Sequence, residues 1–260
     1  MKDLIILPEI LYEDKHILVI NKPPGLIIQG AKKGKKSLLT ILKNFIKKRD
    51  NKVGNVFLGI VHRLDKKVSG VLVFAKRSKS AKRLFESFQK KEIIKLYLAV
   101  VEGILRGKGV WEDYLLWDSK KRKTIVFKEA SKNTKKAITF YFTLYNFKNR
   151  TFVLLFPITG RKHQLRAVLF KRGYPIIGDI KYGSKKRILN GKAILLHSLY
   201  LSFPHPISKE KLEFWAKVPD YFFFNVKYKD VKYKEKVLRL LKNVHKYLNR
   251  IKYEANKNFE

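Results

Sequence analysis

The sequence has no cysteine and a single methionine in 260 residues. That excludes a disulfide framework, a thiolate metal site and a cysteine nucleophile. Acidic residues are scarce, 21 against 59 lysines and arginines, which leaves a formal charge of +38. Long apolar runs are missing as well. Leu4-Ile5-Ile6-Leu7 stops at Pro8, and Val71–Ala75 and Phe152–Phe156 fall far short of the roughly 20 residues that cross a bilayer. No secretory leader and no membrane association are expected, and a cytoplasmic location is.

What is present is an apolar fraction of 45% with 13% aromatics, enough to offset the entropy of ordering the chain. The chain therefore folds, and its surplus of cations favours a polyanionic partner, because each Lys or Arg near a phosphate releases condensed counterions. Residues 227–260 hold eleven Lys or Arg against four Asp or Glu, so the body is basic in its own right. Within that tail Val237, Leu241, Val244, Leu248 and Ile251 repeat at helical intervals. The expected organisation is one catalytic domain over residues 1–226 and a basic amphipathic helical extension over 227–260.

Along the body, Ile17–Ile20 reads as a buried strand closed by the turn Asn21-Lys22-Pro23-Pro24-Gly25. Ser37 is placed to cap a helix with Leu38, Leu39, Leu42, Phe45 and Ile46 on one face, and Ser80 one with Ala81, Leu84, Phe85 and Phe88. Further strands are expected at Val71–Ala75, Tyr97–Val101, Lys123–Lys128, Ile138–Leu144, Thr151–Phe156, Ala193–His197 and Leu212–Ala216. Helical spacing returns at His163–Lys171. Strands outnumber helices and often follow one another directly, which predicts an α+β fold with much antiparallel sheet.

Several chemical signatures fail on inspection. Gly25-x4-Gly30-Ala31-Lys32 has its lysine one place late for a phosphate loop and no Ser or Thr after it. His62 and Asp65 can be drawn as a metal pair, but the further ligands of a hydrolase centre do not follow. Two polar segments embedded in apolar sequence remain: Gly59–Gly70 and Thr159–Arg166. On residue types alone, Asp65 is as readily a solvated turn residue as a catalyst, and Tyr97 as readily an inward-packed strand residue.

His62-Arg63-Leu64-Asp65-Lys66-Lys67-Val68-Ser69-Gly70 resembles the HRLDxxTSG signature of the RluA-type pseudouridine synthase family. The likeness runs from Leu11 to Tyr221. It includes Asn21-Lys22-Pro23-Pro24-Gly25, Lys95–Gly103 as KxYxAxVxG, Thr159–Arg166 as TGRxHQIR, Gly173–Gly183 as GxPIxGDxxYG, and Leu196-His197 with His205-Pro206. Val68 stands where the family has Thr, removing a hydroxyl able to bond within the turn, and Leu165 stands where Ile is commoner. The S4-like RNA-binding module of many relatives has no room before the match, so a stand-alone form is expected.

The resemblance implies the family's catalytic fold, a largely antiparallel mixed sheet flanked by helices with the active-site cleft across it. It also implies isomerisation of uridine to pseudouridine in structured RNA, either rRNA or tRNA, without cofactor or metal. Asp65 falls at the catalytic position, to attack C1′ as nucleophile or take a proton from C2′ as base. Arg166 falls where the family pairs that aspartate, and Tyr97 where an aromatic stacks on the target base. Arg63 matches the residue that displaces the base, and Leu165 the pocket lining. His62 and His163 are expected to hold the two loops by hydrogen bonds, and Arg161 and Lys162, with the Lys32–Lys36 cluster, to meet phosphates. No obligate protein partner is evident and a monomer is expected. The competing reading is a non-catalytic RNA-binding or ribosome-assembly protein that retains the fold.

Overall fold

The structure, a computed structural model, describes residues 7–31 and 36–223, together with Glu235, Arg239, Leu240 and Lys242. The expected extension over 227–260 therefore lies outside the described residues apart from those four, as do Lys32–Lys35 of the basic cluster. The described residues fall into two compact units: one comprises residues up to Leu98 with Gly178–Ile180 and Lys185–Val218, the other Ala99–Ile177, Lys181–Ser184 and the residues from Pro219 on.

The first unit contains β1 (Glu9–Glu13), β2 (Ile17–Lys22), α1 (Leu38–Arg49), β3 (Gly59–Ile60), β4 (Ser69–Ala75), α2 (Ser78–Gln89), the first half of β5 (Ile94–Glu102), and the strands β10 (Leu196–Pro204) and β11 (Lys211–Trp215). Its strands run in the order β1-β2-β4-β10-β5, with β11 on β10 and β3 on β4. The β4–β10 pair is parallel, with His197 opposite Ser69. The pairs β1–β2, β2–β4 and β10–β11 are antiparallel. Ile17, Val19, Val71, Val73 and Leu84 pack with Leu201 and Phe203 into one core. Both β2 and β4 are buried on both faces, which is why their sequences read as unbroken apolar runs rather than alternations.

The second unit contains the second half of β5, β6 (Lys108–Asp118), β7 (Lys123–Phe127), β8 (Lys135–Asn146), β9 (Arg150–Pro157) and α3 (Gln164–Lys171). Its strand order is β5-β9-β8-β6-β7, with the pairs β9–β8, β8–β6 and β6–β7 antiparallel. Ala167 and Val168 of α3 pack on Leu115, Val126, Ala137 and Tyr182. Among residues 7–31 and 36–223, an open, mostly antiparallel mixed sheet with three α-helices is the α+β architecture expected.

Local expectations fare unevenly. Ser37 caps α1 by accepting the Thr40 amide at 3.2 Å. Ser80 does not cap α2: that helix starts at Ser78 with Arg77 at its cap position, and Ser80 is buried in the first turn with its hydroxyl unbonded. Phe85 leaves the expected apolar face, 53% exposed. The strand placed at Ala193–His197 begins only at Leu196, because the Ile194 amide is engaged elsewhere, donating to the Lys67 carbonyl at 3.1 Å. The long strand β6 was not expected from the sequence.

Candidate active site

Asp65 sits in a turn whose backbone is tied at every carbonyl. Its own carbonyl accepts the Val68 amide at 3.0 Å, Lys66 accepts the Gly25 amide at 2.7 Å, and Lys67 accepts Ile194. The remaining acceptor, Val68, takes a hydrogen bond from Lys22 Nζ at 2.7 Å, and the same ammonium reaches Lys66 at 3.3 Å and Pro23 at 2.9 Å. A lysine with no exposed surface thus fastens the Asn21–Gly25 turn to the loop that carries Asp65. Burial pushes Lys22 down to about 7, and the charge of Asp65 pulls the other way. The loop is braced although Val68 replaces the family's Thr. Backbone acceptors and one buried amine supply the fixation, while the Val68 side chain is itself buried.

Around this turn the first unit places the other candidates. Arg63 is exposed two residues before Asp65. His62 Nε2 accepts the Val73 amide at 3.1 Å and its ring stacks on Phe88 with centroids 5.0 Å apart. Burial, reinforced by the charge of Lys95, holds His62 down near 3, so the imidazole is neutral and an acceptor. Tyr97 is half-buried, and burial pushes its phenol up to about 12, with the charge of Asp65 adding to the effect. A hydrogen bond from Ser198 works in the opposite direction. Lys22 and Tyr97 are therefore each within electrostatic reach of Asp65.

Arg161, Lys162, His163, Leu165 and Arg166 belong to the second unit. Gln164 organises them: its Oε1 accepts the Arg161 amide at 3.0 Å and the Thr159 hydroxyl at 2.8 Å, and its Nε2 donates to the Ile138 carbonyl and to Thr139. His163 takes a left-handed conformation, φ +53°, at the cap of α3, with Nδ1 3.0 Å from the Tyr182 hydroxyl. Lys162 lays its ammonium 3.3 Å from the centre of the Trp117 ring, and Arg161 is exposed with Nε donating to the Lys136 carbonyl. Arg166 is 7% exposed and its guanidinium lies 5.0 Å from the Tyr182 ring centre. Leu165 is buried beside it.

Sequence reading left Lys22, Ser198, Gln164 and the buried pair Ser69–His197 without roles. Only the buried apolar run ahead of Lys22 hinted that this lysine would be enclosed.

A carboxylate in a braced turn, an aromatic ring within reach of its charge and a net charge of +38 are compatible with an enzyme that acts on RNA. A family model for RNA pseudouridylate synthase matches residues 16–171. The chain is 37% identical over 215 residues to "Ribosomal large subunit pseudouridine synthase C" of Rickettsia typhi, covering 82% of this chain and 69% of that one. It is 34% identical over 225 residues to "Ribosomal large subunit pseudouridine synthase D" of Vibrio cholerae, covering 81% and 67%. Among solved structures, "Human RNA Pseudouridylate Synthase Domain Containing 4" superposes with a TM-score of 0.69 at 26% identity, over 90% of this chain and 93% of that one. The chain belongs to the RNA pseudouridylate synthase family.

Proposed function

We propose that this protein isomerises one or more uridines of large-subunit ribosomal RNA to pseudouridine, with Asp65 as the group that acts at C1′ or C2′ of the ribose. The reaction breaks N1–C1′, turns the uracil, joins C5 to C1′, and passes the C5 proton to solvent while N1 regains one. Atoms and electrons balance without an oxidant or co-reactant. A uridine in folded RNA must first leave its stack, at a cost of a few kcal/mol. Arg63, exposed beside Asp65, takes the vacated place, and Tyr97 receives the uracil on its face. His62 and His163 brace their loops, Leu165 lines the uracil pocket, and Arg161 and Lys162 meet phosphates. Arg166 serves as the catalytic arginine that the family resemblance implies.

The single observation that carries this reading is the bracing of Asp65, held half-buried in a turn whose carbonyls are all engaged. A solvated surface turn needs no such fixation, whereas a catalytic carboxylate does. Residues 1–226 form the catalytic domain in this reading and 227–260 a basic extension. The protein works as a monomer in the cytoplasm on structured RNA. Mapping pseudouridine in rRNA from cells lacking the gene tests the substrate. At least one position in the large-subunit rRNA is expected to revert to uridine, regained with the wild-type gene and not with Asp65→Asn. An unaltered large-subunit rRNA contradicts the proposal.

A further inference from the structure

Trp117 is the penultimate residue of β6 and lies directly opposite Thr124 of β7. Its ring is half-buried and stands edge-on to the His163 imidazole, with centroids 5.3 Å apart and planes at 88°. His163 is itself fixed, Nδ1 lying 3.0 Å from the Tyr182 hydroxyl, which also accepts the Thr124 amide at 2.7 Å. The indole plane is therefore held by a bonded neighbour. Its face carries the Lys162 ammonium, 3.3 Å from the ring centre. The Thr124 hydroxyl donates to the Lys162 carbonyl at 2.7 Å, so the backbone is pinned and only the exposed, flexible stem of the lysine can swing away.

The other two tryptophans are engaged differently. Trp111 stacks on Tyr141 at 4.1 Å with the Arg172 guanidinium 4.7 Å from its centre, and Trp215 packs on Tyr200 at 4.6 Å. Displacing those neighbours would break aromatic packing, and for Arg172 an ion pair with buried Asp113 as well. Lifting Lys162 from Trp117 costs one exposed cation–π contact, the weakest kind. Nearby, the turn between β6 and β7 exposes Lys120, Lys121 and Arg122, and Arg161 adjoins Lys162. Asp118, the acid of this turn, has Oδ1 occupied by the Lys121 amide at 2.8 Å. A fixed aromatic face among cations matches the two parts of an unpaired nucleotide, since the base stacks and the phosphate pairs.

We propose that Trp117 is a stacking platform for an unpaired base of the RNA, covered by Lys162 until RNA arrives. The base slides over the indole, and the displaced ammonium turns to the phosphate of the same nucleotide. The inference rests on the reading of Lys162 as a phosphate contact, and it gives that lysine a partner in each state. Stacking of a base outweighs an exposed cation–π contact, and the ammonium recovers its loss at the phosphate. Every base has a π face, so the platform holds an unpaired stretch without regard to its sequence. It adds affinity for RNA and takes no part in the choice of uridine.

The full chain is titrated with a short oligocytidylate, unpaired and free of uridine, and with inorganic polyphosphate, which has charge but no base. Oligocytidylate is expected to quench the tryptophan emission, and the quenched component to vanish in Trp117→Phe. Polyphosphate is expected to bind without quenching. Trp117→Leu should weaken oligocytidylate about tenfold and leave polyphosphate unchanged. Lys162→Met should keep the quenching and lower the salt slope by about 0.7, the share of one phosphate of a single strand. Absent quenching in wild type, equal quenching in Trp117→Phe, or quenching by polyphosphate of the same size overturns the inference. Unweakened oligocytidylate binding by Trp117→Leu, or a salt slope unaltered by Lys162→Met, overturns it too. Should Trp117→Leu fail to fold, the comparison of wild type with Trp117→Phe decides alone. Conversion of uridine in an rRNA fragment is measured on the same wild-type protein. Conversion without quenching removes the platform and leaves the synthase reading standing, and quenching without conversion does the reverse.

Discussion

Lys22 has no exposed surface, yet its ammonium touches three carbonyls and feels the charge of Asp65. Two of those carbonyls lie 44 and 46 residues along the chain, so a sequence window shows only a lysine entering a turn. The residues of the site were legible as types in a motif, and their fixation was not, because fixation is made by distant backbone. Folded Lys22 gives up its proton near 7, whereas an ordinary lysine does so at 10.5. Between those values the unfolded chain binds the extra proton, so this group makes stability rise with pH across that window. Lys22→Met keeps the volume and removes the donors. It is expected to cost about 3 kcal/mol near pH 8, chiefly by leaving the Val68 and Pro23 carbonyls without this donor. The gap from wild type should widen from pH 7 to 10 in urea unfolding. A gap that stays constant would mean that Lys22 keeps its proton throughout.

Elements were read best where burial on both faces wrote a continuous apolar run, as in β2 and β4, and worst where polar residues enter the core. Strand β6 escaped for that reason: Asp113 is 4% exposed in its middle. The structure answers that charge with Arg172, whose Nη2 donates to Asp113 Oδ1 at 2.9 Å, whose Nη1 reaches the Val168 carbonyl, and whose guanidinium lies over Trp111. Asp113 Oδ2 is buried without a hydrogen bond, so the carboxylate depends heavily on this arginine. Arg172→Met is expected to destabilise the protein by about 3 kcal/mol, since it strands a buried charge. The double variant Arg172→Met with Asp113→Leu should recover most of that loss, because replacing a whole buried pair by apolar groups is commonly neutral. Denaturant midpoints decide the matter, and a double variant no better than the single one would contradict the role given to the pair. The start of β10 falls later than the apolar pattern predicts for a different reason. Ile194 is as apolar as the strand it precedes, but its amide holds the Asp65 turn instead of a neighbouring strand.

At the scale of the whole molecule, a charge of +38 favours a polyanionic partner, and the absence of cysteine excludes thiol chemistry. Composition said nothing about chemistry. That came from two segments, 62–70 and 159–166, which the fold sets in different compact units, each braced by its own buried network. The surplus cations account for affinity and its fall with salt, and the reaction is assigned to a single carboxylate among them. Tritium release from rRNA labelled at uridine C5, measured for wild type and Asp65→Asn with RNA affinity determined alongside, tests that assignment most directly, since C5 loses its hydrogen only when it bonds to C1′. Wild type is expected to release tritium, and Asp65→Asn to bind the RNA with similar affinity while its release falls to background. Undiminished release by Asp65→Asn would contradict it.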